Sequence, residues 1–178
     1  MADTDQFIIK CHAAPKVFID GSDDAAGKFT LHEDTGNKSG TITIKGTEAS
    51  GTARWYYDSG RQIGTADTDI FHTGKTYTDG TAIDLTADIV MGIYIRHKGV
   101  DENGDTMNQN VIWFSDGDGG NSSVSEQMLK PGEATATRCH TANGGGQDNC
   151  LLSNFEAETI TGDDAMIEVL AFVDDVSG

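Results

Sequence analysis

The chain has 178 residues, with 29 acidic residues against 12 Lys and Arg, and its formal net charge is −17. This length suits one domain with a substantial core, and the charge would be repelled by a phosphate backbone, which argues against nucleic acid as a partner. No apolar run approaches the ~20 residues that span a bilayer, so we expect no membrane partner.

Turn-forming residues punctuate the whole chain. It contains 22 glycines and 2 prolines, with Thr, Ser, Asn and Asp between short apolar runs, as is typical of an all-β chain. The N-terminus lacks the basic residues and apolar stretch of a signal peptide, so we expect synthesis without secretion. Three cysteines (Cys11, Cys139 and Cys150) are too irregular for a disulfide framework, and we expect all three to be reduced.

The first apolar runs are short and lie close to the N-terminus, at residues 7–11 and 17–19. We predict that residues 1–20 form an N-terminal arm or edge strand and that residues 21–178 form a single β-sandwich domain. An arm of this length could pair with a neighbouring subunit through backbone hydrogen bonds. The alternative is that it forms an ordinary first strand of the sandwich.

Three further segments have the length and composition of strands: residues 29–32, 40–45 and 53–57. Alternation within the last of them places Tyr56 on one face, and Trp55 and Tyr57 on the other. Residues 59–86 predict long loops with one or two short strands, anchored by scattered apolar residues (Ile63, Ile70, Phe71, Tyr77, Ile83 and Leu85). Residues 141–149 predict a second, glycine-rich loop.

Two later segments carry the strongest strand patterns. In residues 89–96, alternation predicts a core face made of Ile89, Met91, Ile93 and Ile95. Residues 165–173 are apolar on both faces, as expected of a central strand, although Ala, Met, Glu and Leu also favour helix. We favour a strand because β-branched residues recur on one parity.

The runs add up to roughly eight to ten strands, enough for two packed sheets. The predicted fold class is therefore all-β: a β-sandwich or jelly roll with long Gly/Thr/Asp-rich loops and a possible N-terminal arm. After Arg138 the chain has eight acidic residues and no Lys or Arg. We expect that acidic end to face solvent or a basic partner.

The search for chemistry is mostly negative. The chain has no nucleophile elbow, no His-Glu-x-x-His and no Cys-x-x-Cys motif, and its five histidines lie on separate predicted elements. We therefore predict no enzyme activity, with no catalytic, cofactor-binding or metal-ligating residues. A hydrolase with a site assembled only in the folded chain is the least supported alternative.

Three weaker possibilities stay open. Cys11-His12, Cys139-His140 and Cys150 could converge on zinc, but their spacing matches no common site. A disulfide between Cys139 and Cys150 is geometrically easier and could form after release into an oxidising medium. The acidic turns at residues 101–105 and 116–118 offer oxygen ligands for calcium, but the glycine and closing glutamate of an EF-hand loop are absent.

Four segments follow one another in the second half of the chain: residues 90–99, the strand at 110–117, the turn Leu129-Lys130-Pro131-Gly132-Glu133, and the strand at 165–172. In this succession the second half of the chain resembles small β-sandwich virion proteins of tailed bacteriophages. The resemblance implies a capsid decoration (cement) protein that is often trimeric, sits on the major capsid protein lattice, and belongs to the virion surface after assembly in the host cytoplasm. A tail or neck position is also open.

The main rival function is a carbohydrate-binding β-sandwich module that uses exposed Trp and Tyr rings and a calcium turn. We expect packing or a subunit interface rather than a sugar site for the aromatic residues of 55–57 and 113–114. A decoration protein needs shape, an association surface and no reactive centre. The sequence therefore predicts a non-enzymatic, self-associating structural protein.

Overall fold

The structure, a computed structural model, describes residues 6–13, 38–45, 49–116, 123–139, 150–160, 162 and 164–176. Within these ranges it contains ten β-strands and one short 3-10 turn. The strands are β1 (Gln6–Ala13), β2 (Lys38–Lys45), β3 (Thr52–Ile63), β4 (Thr68–Asp69), β5 (Ile89–His97), β6 (Val111–Asp116), β7 (Ser123–Leu129), β8 (Ala134–Arg138), β9 (Phe155–Thr159) and β10 (Ala165–Asp175), with the turn at Leu152–Asn154. The predicted all-β class is confirmed. The segments predicted at residues 17–19, 29–32 and 141–149 lie outside the described residues.

Strands β3 to β10 form two four-stranded antiparallel sheets. One has the order β3-β10-β5-β8 and is named here the β10 sheet, and the other has the order β4-β9-β6-β7 and is named the β6 sheet. Every connection from β3 to β10 passes between the sheets, except the hairpin that joins β6 to β7. This arrangement is that of an eight-stranded jelly roll.

The strand registers define the two ends of the sandwich. At the upper end, Ile63 pairs with Ala165 and His97 pairs with Ile167. At the lower end, Thr52 pairs with Asp175 and Ile89 pairs with Asp174. Loops 64–67, 98–110 and 130–133 therefore lie at the upper end, and loops 49–51 and 77–88 lie at the lower end.

Strand β10 occupies the centre of its sheet, between β3 and β5, as its sequence predicts. Its core face is closed to solvent along its length, since the five residues of one parity (Ala165, Ile167, Val169, Ala171 and Val173) are all 0% exposed. The helix alternative for this segment is therefore wrong. Between the sheets, the rings of Tyr56, Phe71 and Phe155 meet edge to face at centroid distances of 4.9 Å and 5.8 Å.

Strand β5 departs from the predicted alternation at its beginning. Val90 belongs to the core between the sheets together with Ile93 and Ile95, whereas Met91 packs on the opposite face with Phe172. The reason is a bulge, because Gly92 pairs with Phe172 but Val90 pairs with Val173, which leaves Met91 without a partner in β10. A bulged residue shifts the parity of its strand, so the prediction that Met91 shares a face with Ile93 is wrong.

The outer face of the β10 sheet is covered by a second apolar cluster. It joins Phe172 and Met91 to Ala53 and to Ile44 of β2, and Trp55, Tyr94, Ala136 and Leu170 pack against it. Strands β1 and β2 pair along their whole lengths, from Gln6 opposite Lys45 to Ala13 opposite Lys38. We call this pair the β1–β2 ribbon. The ribbon therefore lies over one sheet through Ile44. Whether residues 1–20 act as an arm on another subunit stays a prediction.

Four of the apolar anchors predicted in residues 59–86 are buried as expected, but the start of this segment belongs to a strand rather than to a loop. Ile63, Ile70, Phe71 and Tyr77 are buried, and the one short strand is β4. Strand β3 continues beyond Tyr57 to Ile63 because its register to β10 shifts between Asp58 and Arg61. This bulge lets the chain continue through Ser59 and Gly60 without leaving the sheet.

Gly51 is the glycine most constrained by a close approach. A Cβ atom added there would lie 2.0 Å from the carbonyl oxygen of Asp175. That oxygen belongs to the backbone and cannot rotate away.

We expect Gly51→Ala to lower the free energy of unfolding by about 1–3 kcal/mol, the usual cost of overpacking. Gly64→Ala is the matched control, because its nearest contact would be the Asp164 side chain at 3.5 Å, and it should change stability by less than about 0.5 kcal/mol. Urea unfolding of both variants checks this. Equal losses would show that the close approach at Gly51 does not limit stability.

Candidate functional site

A cluster of carboxylates fastens the lower end of the sandwich. Asp88 is 0% exposed, and its Oδ2 accepts the hydroxyl of Tyr77 at 2.6 Å and the backbone N–H of Asp84 at 2.9 Å. Its Oδ1 accepts the N–H of Val176 at 3.2 Å. Burial and the bond to Asp88 raise the pKa of Tyr77, so this hydroxyl stays a donor. The cluster ties loop 77–88 to the end of β10.

Asp174 and Asp175, two of the eight acidic residues after Arg138, are buried, and for these two the structure corrects the expectation that the acidic end faces solvent. Asp174 is 5% exposed and accepts the N–H groups of Ser50 and Gly51 at 2.7 Å and 2.8 Å, as well as the Ser50 hydroxyl at 2.9 Å. Asp175 is 1% exposed and pairs with the guanidinium of Arg54. Backbone donors and one arginine thus take the place that we assigned to solvent or a basic partner.

Arg54 links the Asp175 pair to the rest of the lower end. Its Nε donates to Asp175 and its Nη1 donates to Asp79, and its guanidinium lies 5.9 Å from the centroid of the Tyr77 ring. The hydrogen bond that Arg54 donates to Asp175 is the largest cause that raises the pKa of Arg54. These groups are engaged with one another, so the arrangement holds loops together and offers no free nucleophile or base.

A smaller polar group surrounds the bulge of β3. Asp58 is 4% exposed, accepts the N–H of Gly60 at 3.0 Å, and lies 3.2 Å from Lys75 Nζ and 3.6 Å from His72 Nε2. Burial, with the nearby charge of Asp58, raises the pKa of Tyr56, so that hydroxyl stays neutral. Lys75 thus places a positive charge beside a buried carboxylate at a sheet edge, with the His72 ring nearby.

The histidines do not assemble into a site in the part of the chain that the structure describes. His72 belongs to the group around Asp58, and His97 is buried at the upper end of β5. His97 accepts the N–H of Gly99 at Nδ1 (3.0 Å) and its Nε2 lies 3.0 Å from the carbonyl oxygen of Gln109. This pattern fixes the neutral tautomer with hydrogen on Nε2. Residues 32 and 140 lie outside the described residues, as does the side chain of His12.

The burial of His97 makes stability depend on pH. Burial lowers its pKa, although the bond to Gln109 opposes the shift. The unfolded chain binds a proton near pH 6.5, which the folded chain resists. The contribution of neutral His97 is thus complete above about pH 6.5 and is lost as the pH falls toward the folded pKa.

We expect the free energy of unfolding to fall as the pH drops from about 6.5 toward the lowered pKa of folded His97, by no more than about 1.4 kcal/mol per pH unit for one proton. Urea unfolding at several pH values measures this slope. His97→Gln should flatten it and His72→Gln should retain it. An unchanged slope in His97→Gln would assign the effect to other groups.

In the acidic turn at residues 101–105, the carboxylate of the first residue, Asp101, accepts hydrogen bonds from within the turn. Asp101 Oδ1 accepts the N–H groups of Asn103 and Asp105, each at 2.8 Å, and Gly104 has a φ of +86° that closes the turn. The oxygen that would begin a calcium site is therefore occupied by backbone donors. Among the described residues, no group of three or more His, Cys, Asp or Glu is placed to hold a metal ion. Most of the second turn, at 116–118, lies outside them.

The aromatic residues of β3 divide as alternation predicts. Tyr56 is buried between the sheets, and Trp55 packs on Phe172 at a ring distance of 4.7 Å on the outer face. Tyr57 is 48% exposed, and its hydroxyl donates to Glu168 at 2.9 Å. Trp55 is half-buried because it packs against the apolar cluster that joins the β10 sheet to the ribbon. The side chains of residues 113 and 114 lie outside the description.

The outer face of the β6 sheet carries exposed apolar side chains. Ile112 pairs across the sheet with Met128 on one side and Glu158 on the other. Met128, on the edge strand β7, is 53% exposed, and Ile160, directly after β9, is 50% exposed. We call Ile112, Met128, Glu158 and Ile160 the outer strip. These residues could not be singled out from the sequence, because the alternation of residues 111–112 does not show which face of the sheet is left uncovered.

None of the helices in the described part of the chain has the length and apolar character needed to cross a membrane. No protein-family model and no curated protein sequence matches the chain. The function must therefore be argued from the fold and from its surfaces.

Proposed function

We propose that this chain is a non-enzymatic structural protein of a tailed-phage virion, of the capsid decoration type, which binds the major capsid protein lattice and stabilises the head. The observation that carries the proposal is the outer strip, which exposes Met128 and Ile160 on one side of a jelly roll whose opposite side is partly covered by the β1–β2 ribbon. The resemblance in the second half of the chain supports the major capsid protein as the partner.

The fold supports the proposal without deciding it. Jelly rolls are used by viral capsid proteins, lectins and cupins, and a shared fold does not fix a function. The polar groups at the lower end and around Asp58 are engaged in structural contacts. We therefore assign the function to exposed surfaces of the described residues.

The asymmetry between the two outer faces favours the β6 sheet as the docking face. Ile44 of the ribbon is 0% exposed over the β10 sheet, whereas Met128 and Ile160 are half exposed on or beside the β6 sheet. Interfaces place apolar side chains at the centre and polar groups at the rim. Met128 and Ile112 supply such a centre, and Glu158 supplies a rim carboxylate beside them.

The net charge of the chain favours a partner with a basic surface. With a net charge of −17, a second acidic surface would be repelled, whereas a surface rich in Lys and Arg would be attracted and its association accelerated. We therefore assign to the outer strip a shell surface that presents basic residues around an apolar pocket. Each bound copy adds buried interface between neighbouring shell subunits, and this added interface resists expansion of the head.

Met128→Asp tests the docking face, because it places a charge at the centre of the outer strip without touching the core. We expect binding to particles to weaken by roughly 2 kcal/mol or more, about 30-fold, as for a central interface residue. Val176→Asp is the matched control, since Val176 is 46% exposed at the lower end, away from the strip. Copies per purified particle, counted by quantitative mass spectrometry after production in the infected host, give the result.

Two outcomes would count against this assignment. Equal retention of both variants on particles would move the docking face elsewhere, and loss of both would point to a general effect of added charge.

The native mass of the purified chain, from light scattering after size exclusion, tests the predicted self-association. A trimer is expected, because closed symmetric assemblies suit a repeating shell.

A further inference from the structure

Two of the three cysteines meet at the lower end of the β10 sheet. The N–H of Cys139, directly after β8, donates to the carbonyl of Met91 at 3.0 Å. Leu151, directly after Cys150, forms an antiparallel bridge with Ile89. The other edge of Ile89 is taken by Asp174 of β10, so Cys139 and Leu151 both lie along the β8 edge of β5. This register brings the two cysteines next to each other.

The side chains complete the approach. Cys150 is 8% exposed and Cys139 is half-buried against the core between the sheets. The two thiol groups lie within hydrogen-bonding reach of each other, and no disulfide joins them in this structure. Ten residues separate the two cysteines in the sequence, so chain connectivity alone does not hold the sulfur atoms together.

We propose that Cys139 and Cys150 are a poised dithiol that closes an intramolecular disulfide when the protein passes from a reducing to an oxidising medium. The bond would clamp the end of β8 to the segment that leads into β9. Cross-linking two distant positions restricts the unfolded chain and so stabilises the folded one. This inference is independent of the proposed docking face.

The step balances with a low-molecular-weight disulfide, such as glutathione disulfide, as the oxidant. The thiolate of one cysteine attacks a sulfur of the oxidant, which forms a mixed disulfide and releases one glutathione thiolate. The second cysteine, as its thiolate, then attacks the protein sulfur of the mixed disulfide and releases the second glutathione. The protein loses two electrons, and its two thiol protons pass to the released thiolates.

The environment of the pair sets the rate of this exchange. The hydrogen bond with Cys150, followed by burial, raises the pKa of Cys139. Because the thiolate is the attacking species, closure should be slow at neutral pH. Its rate should rise with pH and should level off at a higher pH than the value near 8.5 that is usual for an ordinary thiol.

The experiment uses Cys11→Ser, which keeps only the pair, together with Cys139→Ser and Cys150→Ser in the same background. Each full-length protein is incubated with glutathione disulfide, alkylated with iodoacetamide and analysed by intact mass and peptide mapping. The pair variant should lose both free thiols and the mass of two hydrogen atoms, and its mapped peptides should be joined through Cys139 and Cys150. Its thermal midpoint should rise on oxidation and fall back on reduction.

The single-cysteine variants provide the contrast. They should stop at a glutathione adduct or remain reduced, and their thermal midpoint should not rise. Retention of two alkylatable thiols by the pair variant, or disulfides that join two chains, would overturn the inference. A variant that fails to fold does not decide the matter, because the pair variant carries the test by itself.

Discussion

Replacing Phe172 by alanine is expected to lower the free energy of unfolding by about 3–5 kcal/mol, the usual cost of deleting a buried aromatic side chain. Phe172 is 0% exposed, and it holds together three parts of the fold: Trp55 of β3, Met91 at the bulge of β5, and Ile44 of the ribbon. Urea unfolding measures the loss.

Leu170→Ala is the matched control, since Leu170 lies on the same strand and face but is only half-buried. It should cost clearly less than Phe172→Ala. Hydrogen exchange in β1 and β2 gives an independent readout, because loss of the Phe172 ring should loosen the ribbon before the sandwich unfolds. Unchanged exchange in the ribbon would show that Ile44 is held by contacts other than this cluster.

The second large effect is expected for Asp88→Ala. This change leaves three donors, the Tyr77 hydroxyl and the N–H groups of Asp84 and Val176, without their acceptor. Unsatisfied buried donors cost about 1–3 kcal/mol each, and relaxation toward water at the lower end recovers part of this cost. We expect a net loss of about 2–4 kcal/mol in urea unfolding.

Asp105→Ala, at an exposed position of the turn at 101–105, removes the same kind of side chain as a control and should change stability by less than about 0.5 kcal/mol. A double-mutant cycle between Tyr77→Phe and Asp88→Asn isolates the hydroxyl–carboxylate bond and should give a coupling energy of about 0.5–3 kcal/mol. A coupling energy near zero would contradict the assigned role of this bond.

The elements that could be predicted from the sequence are those governed by local alternation. Strand β10 could be predicted because β-branched residues recur on one parity. Alternation likewise places Tyr56 on the face opposite to Trp55 and Tyr57. The bulge at Met91 could not be predicted in this way, since it depends on the register with Val173, far along the chain. An extra residue in one strand leaves no mark on that strand's own periodicity.

The burial of the acidic end was missed for a similar reason. Asp174 accepts donors from Ser50, 124 positions earlier in the chain, and Asp175 finds Arg54 at a separation of 121. No pattern in the neighbouring sequence indicates a partner that lies so far away along the chain. A series of carboxylates therefore predicts a solvent-exposed segment when it is judged from the sequence alone. The approach of Cys139 to Cys150 likewise follows from two separate contacts with β5 rather than from the spacing of the cysteines.

The outer strip marks the limit of prediction for function. Alternation identifies Ile112 and Met128 as neighbours of buried residues, but only the stacking of the two sheets decides that their face points outward. The proposal of a decoration protein combines this exposed strip with the resemblance of the second half of the chain. It accounts for a molecule whose described polar clusters brace its own loops.

The most direct test is the composition of purified virions. Particles banded on a density gradient from the cells that make this protein would be digested, and peptides of this chain would be quantified against those of the major capsid protein. Our account predicts a fixed ratio of this chain to the capsid subunit, with a copy number that scales with the shell. Peptides found only in the unassembled fraction would contradict it, and a few copies per particle would place the chain in the neck or tail instead.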